Sequence, residues 1–124
     1  MKVILVEPNK PAHVAEIGDK LEDMQQVVGG YIEAVYPYEE LVAIVCNDSA
    51  KLEGMPLNRA LRDENDEVYD VIAGTFFLVG VGEEDFESIP DELVEKFLKL
   101  FQYPEFFIMM NGEIETIIIR DVDL

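Results

Sequence analysis

Apolar residues fall into short runs broken by Pro, Gly, Asn and Asp, a pattern of strands joined by reversals, with two stretches of helical spacing among them. Residues 1–7 (MKVILVE) form a first strand that stops at Pro8. The Pro8-Asn9-Lys10-Pro11 reversal predicts a hairpin into a second strand over 13–17, with Val14 facing the interior. Gly18-Asp19 starts a helix with Asp19 as N-cap; Leu21, Met24, Gln25 and Val28 repeat at helical spacing, and Gly29 ends it. Residues 31–36 alternate as a strand, and Pro37 stops its pairing while Glu39 and Glu40 keep the reversal in water. Residues 41–46 (LVAIVC) are apolar throughout, which predicts a central strand covered on both faces.

Asn47-Asp48-Ser49 is a turn cluster, and Gly54 and Pro56 mark an irregular crossing. The spacing predicts a single helical turn over 57–62 (LNRALR), an acidic loop over 62–70 (RDENDEVYD) and a fifth strand over 71–79, bulged at Gly74. A second helix opens at Ser88-Ile89-Pro90-Asp91 with Ser88 as cap, and Leu93, Val94, Phe97, Leu98 and Phe101 make its apolar stripe. Residues 106–110 and 113–119 flank Asn111-Gly112, a strong two-residue turn signal. The prediction is an α+β domain: a mainly antiparallel sheet of about five strands with two helices, plus a C-terminal β-hairpin. It is a single domain over 1–124, with a core over 1–103 and a hairpin extension over 104–124.

The 124-residue length suffices to bury roughly 65% of the unfolded surface without staples. The single cysteine, Cys46, allows no internal disulfide and sits in an apolar run, so it reads as a structural thiol. No apolar run approaches the about 20 residues of a membrane helix, and the apolar start meets Glu7-Pro8 too soon for a signal peptide. The expectation is a cytoplasmic protein with no membrane partner. Charge changes the picture most. Twenty-seven acids against nine bases give −18, which repels phosphate backbones and argues against direct nucleic-acid binding. The 49% hydrophobic content separates the chain from disordered acidic tails.

The chemistry-bearing residues are sparse. His13, the only histidine, lacks a neighbouring cysteine or second histidine, so it reads as a surface imidazole. Neither Ser49 nor Ser88 lies in a Gly-x-Ser-x-Gly turn. Gly29-Gly30 lacks the lysine and hydroxyl of a phosphate loop, and Gly80-Val81-Gly82 runs into Glu83-Glu84-Asp85, which repels phosphate. Asp63, Glu64, Asp66 and Asp70 have the composition of a cation loop but miss the calcium spacing. We therefore expect no catalytic residues, no metal site and no cofactor. Asn58, Arg59 and Arg62 remain as a polar group. Either they tie the fold together, or Arg59 grips a phosphate or carboxylate while Tyr31, Tyr36 or Tyr38 stacks on a base. A second candidate surface is acidic: Asp63, Glu64, Asp66, Glu67, Glu83, Glu84 and Asp85.

Three blocks carry a family resemblance: VGGYIEAVYPYEELVAIVCND (28–48), GMPLNRALRDE (54–64) and DVIAGTFFLVG (70–80). They resemble the domain of unknown function 3846 family, small uncharacterised proteins of phages and conjugative or integrative elements. The resemblance covers roughly residues 1–100 and leaves out the stretch after Tyr103. It brings no activity and no catalytic residues. It implies a setting, that of an accessory protein of a mobile element.

Together these readings predict a non-enzymatic protein that acts by binding. An acidic decoy of a host defence or DNA-binding protein ranks first, with an unidentified host protein as partner. A module that sequesters a nucleotide signal is the alternative, and a small hydrolase is a distant third. The run Ile117-Ile118-Ile119, flanked by Glu115 and Arg120, is an aggregation hazard as an open edge. It is therefore covered by the domain or paired with another chain, and the prediction is the second, a two-fold homodimer through the C-terminal hairpin whose contact tightens with salt.

Overall fold

The longest apolar runs become the middle of a sheet. The structure is a computed structural model that describes residues 1–118. In chain order its elements are β1 (Lys2–Val6), β2 (His13–Glu16), α1 (Leu21–Val28), β3 (Ile32–Val35), β4 (Val42–Asn47), β5 (Leu57–Arg62), β6 (Val68–Ala73), β7 (Phe76–Val81), β8 (Phe86–Glu87), α2 (Asp91–Leu100), β9 (Glu105–Met110) and β10 (Glu113–Ile118). The main sheet is antiparallel, in the order β2-β1-β7-β4-β3, with β8 paired to the end of β7. Two ribbons stand beside it, β5-β6 and β9-β10. The fold is α+β, and the C-terminal hairpin is present. The expected strand end at Ile119, and Arg120 beside it, lie outside the described residues.

Every residue of β4 is buried, as is most of β7, because both faces of these strands are covered. On one face, α1 lays Met24 and Val28 against Val3, Ala43, Val45, Phe77 and Val79. On the other, Phe97 and Phe101 from α2 and its end meet Ile4, Val6, Ile44, Phe76 and Leu78, with Leu61 and Ile72 arriving from the β5-β6 ribbon. Phe97 packs on Tyr38 with ring centroids 4.8 Å apart, and Phe76 meets Phe101 edge-on at 5.4 Å.

Several local expectations are corrected. Residues 57–62 form strand β5 rather than a helical turn, in a ladder that slips between Leu57 and Arg59 and again between Leu61 and Arg62. Such bulges break the period-two pattern and hide the strand from a periodicity reading. The acidic loop shrinks to a turn over 63–67, and β6 begins at Val68. Within that turn, Asp63 Oδ1 accepts the amides of Asn65 and Glu67, each at 2.9 Å.

The expected fifth strand over 71–79 is two strands in different sheets. The chain reverses at Gly74, where φ is +74° and a Cβ would come within 2.9 Å of Met55 Sδ. Only glycine takes that φ freely. Helix α1 starts after Lys20, not Asp19, and Asp23 Oδ2 accepts the Lys20 amide at 3.2 Å. Ser88 does not cap α2; its hydroxyl accepts the Lys2 amide at 2.9 Å and ties β1 to the β8 segment. Val14 lies on edge strand β2 and is exposed.

Candidate functional site

Strand β5 carries the polar pair Asn58 and Arg59 into the interior, where both are 0% exposed. The Asn58 amide donates to Val6 O and Gly74 O, both at 2.9 Å, and its Oδ1 accepts Arg59 Nη1 at 2.8 Å. Arg59 Nη2 donates to Lys10 O at 2.6 Å and to Phe101 O at 3.0 Å. One guanidinium thus binds the β1-β2 reversal, the end of α2 and its own strand. Burial pulls the Arg59 pKa down, and the Glu105 carboxylate opposes that pull. Its Nε has no hydrogen-bond partner among the described residues. The side chain's four bonds go to the protein itself.

Arg62, at the end of β5, turns toward the C-terminal ribbon. Nη1 donates to Glu105 Oε1 at 2.9 Å and Nη2 to Thr116 Oγ1 at 3.1 Å, while Glu105 Oε2 accepts the Ala60 amide at 3.3 Å. Tyr31 is 74% exposed beyond the start of β3, and Tyr36 is exposed beyond its end. Five residues of near-extended chain put their Cα atoms about 16 Å apart, and their odd and even positions turn the side chains to opposite faces. The structure gathers Asn58 with Arg59 and sets Arg62, Tyr31 and Tyr36 apart.

The acidic residues show a different geometry. Tyr36 lines a 440 Å³ hollow with Asp19, Glu83, Glu84 and Asp85. The adjoining Pro37 and Tyr38 line a second hollow of 190 Å³ with Asp63, Asp66 and Tyr69. The loop over 36–41, which also carries Glu39 and Glu40, therefore lies between the 63–67 turn and the 82–85 turn. The loop and the two turns it joins make up an acidic end, with the 63–67 turn on the α2 face of the main sheet and the 82–85 turn on the α1 face. The Val81 amide bonds Leu41 O at 3.0 Å and fixes the loop against β7. Glu40 forms an ion pair with Lys96, whose hydrogen bond holds its carboxyl below the ordinary range. Burial raises the Tyr38 phenol, as do the nearby Tyr69 and Glu40. Tyr36, Leu41 and Tyr69 stand exposed among the acids.

The sequence reading did not anticipate a 390 Å³ cleft between the β3-β4 pair and the β5-β6 ribbon. Its floor includes Cys46, Leu61 and Ile72, and Glu33, Asp48, Lys51 and Asp70 lie around it. Lys51 Nζ bonds Asp70 Oδ1 at 2.9 Å. Burial raises Asp70, but the Lys51 and Val71 hydrogen bonds outweigh it and hold the carboxyl below its usual range. Burial, then Glu33 and Asp70, push the Cys46 thiol up to about 11. A thiol so placed is protonated at neutral pH and is a poor nucleophile. No group of three or more metal-ligating side chains occurs among the described residues. Among them, no helix is long and apolar enough to cross a membrane. The cleft depends on how the β5-β6 ribbon stands against the β3-β4 pair, a packing of two separate sheets that the sequence pattern does not state.

The family described as domain of unknown function (DUF3846) matches residues 1–102. The chain belongs to this family. No curated protein and no solved structure matches it. The DUF3846 match takes in the main sheet, both helices, the Asn58-Arg59 pair and all three segments of the acidic end. It stops before β9, so the C-terminal ribbon is added to the DUF3846 domain.

Proposed function

We propose that this DUF3846 protein is a binding protein whose acidic end occupies a basic groove on a host protein, in the manner of a decoy for nucleic acid. The observation that carries the reading is the placement of the two acidic turns on either side of the 36–41 loop. At that end, Arg62 is engaged by Glu105 and Lys96 by Glu40. A field of one sign focused at one end steers a basic partner and speeds its association. Tyr36, Leu41 and Tyr69 add amphipathic contact area among the acids, the composition that anchors interfaces. The setting is an accessory role in a phage or other mobile element, within the cytoplasm of its host.

Competition tests the proposal. Host proteins that elute from immobilised duplex DNA are bound to a fluorescent duplex, and the DUF3846 protein is titrated in. It should displace the duplex from at least one of them, less well as salt rises. Neutralising both turns (Asp63→Asn, Glu64→Gln, Asp66→Asn, Glu67→Gln, Glu83→Gln, Glu84→Gln, Asp85→Asn) should weaken displacement by at least about tenfold. Displacement from none of them, or equal displacement by the neutralised protein, overturns the reading.

A further inference from the structure

The β9-β10 ribbon lies outside the family match and presents an unusual face. Its strands pair in the register Glu105↔Ile118, Phe106↔Ile117, Phe107↔Thr116, Ile108↔Glu115, Met109↔Ile114 and Met110↔Glu113. Glu105 and Thr116 bond Arg62, so that face looks toward the body. Alternation turns the other six residues away from it, and all six are exposed. On that outer face, β9 contributes Phe106, Ile108 and Met110 in a column. Beside them β10 contributes Ile117, then Glu115 and Glu113. The result is an apolar stripe with an acidic stripe along one flank. At the tip, Met109 is 69% exposed and Ile114 is exposed as well, so the apolar surface continues round the turn.

Such a ribbon is incomplete on its own. Two strands without a covering layer are marginal in water, and a contiguous apolar patch marks an interaction site. We infer that the outer face of β9-β10 docks a cationic amphipathic helix of a partner protein. The apolar stripe receives the helix's hydrophobic ridge, and Glu113 and Glu115 pair with Lys or Arg along its flank. The spacing fits. The two carboxylates stand two residues apart on a strand, about 7 Å. Side chains one turn apart on a helix stand about 6 Å apart. Charge also discriminates among occupants. The same face of a second copy offers Glu113 and Glu115 no Lys or Arg among the described residues, and the copy carries −18 with it. The only cation that touches the ribbon among the described bonds is Arg62, held on the inner face. None of the outer-face residues of the ribbon lines either hollow of the acidic end.

The probe is a helical peptide with a leucine ridge and lysines along one flank, compared with the same peptide carrying glutamates. Fluorescence anisotropy on the full chain should show binding of the lysine peptide, weakened by salt, and none of the glutamate peptide. Ile108→Ser with Met110→Ser should weaken it about tenfold or more. Glu113→Gln with Glu115→Gln should flatten the salt dependence at unchanged circular dichroism. The protein neutralised at its acidic end should retain binding, which separates this surface from the decoy proposal. Three results overturn the inference: no binding of the lysine peptide, binding indifferent to the ribbon substitutions, or a dimer that tightens with salt and is lost on Ile108→Ser. The last assigns the face to self-association.

Discussion

Asn58 and Arg59 are the residues on which three parts of the chain converge. An asparagine amide supplies two donors at fixed angles, and here they close the carbonyls of Val6 and Gly74. Gly74 is the point where β6 leaves for β7, so this bond secures the passage between the two sheets. Asn58→Ala removes both donors and the acceptor for Arg59 Nη1 while leaving the site buried. Unpaired buried groups cost about 1–3 kcal/mol, and we expect the urea midpoint to fall accordingly. An unchanged midpoint would mean that water enters and substitutes for the amide. The sequence singled out this pair, since two large polar residues between Leu57 and Ala60 need partners. It left open whether the partners were a ligand or the protein, because the acceptors are main-chain carbonyls, which no side-chain pattern encodes.

At the scale of elements, legibility followed what each segment buries. The strands β1 and β4 were readable because long apolar runs mean cover on both faces. The C-terminal hairpin was readable because Asn111 and Gly112 take φ of +54° and +81°, the turn that these two residue types favour. Strand β5 was not, since its two register shifts put buried residues side by side. The break between β6 and β7 was equally hidden: Gly74 in an apolar run reads as a bulge until the two sheets are seen. Docking of β9-β10 depends on one carboxylate that no pattern predicted. Glu105 is 6% exposed and binds both Arg62 and the Ala60 amide. Glu105→Ala leaves a half-buried guanidinium and a buried amide without their acceptor, at a cost of about 1–3 kcal/mol. The loss should be local. Hydrogen exchange should accelerate over 105–118 while β4 and β7 keep their protection, and uniform acceleration across the main sheet would show that the ribbon is integral to the core.

For the whole molecule the decisive quantity is the imbalance of charge, 27 acids to nine bases. Opposite charges do meet at the surface, as in Lys51–Asp70 at 2.9 Å and Lys99–Glu95 at 3.1 Å. Pairs of this kind are worth about 0–1 kcal/mol each, and salt weakens them. Repulsion among the remaining acids is longer in range and more numerous, and it presses hardest where the 63–67, 82–85 and 36–41 segments share one end. Raising salt from about 0.01 M to about 0.1 M shortens the screening length from about 30 Å to about 10 Å. That leaves pairs in contact partly intact and removes most of the repulsion across the acidic end. Stability should therefore rise with salt, read as a higher urea midpoint at constant slope. Glu83→Gln with Glu84→Gln and Asp85→Asn should raise the midpoint at low salt and shrink the gain on adding salt. A midpoint that stays flat or falls would mean that the surface pairs outweigh the repulsion, and that the acidic end is neither as concentrated nor as strained as its three segments imply.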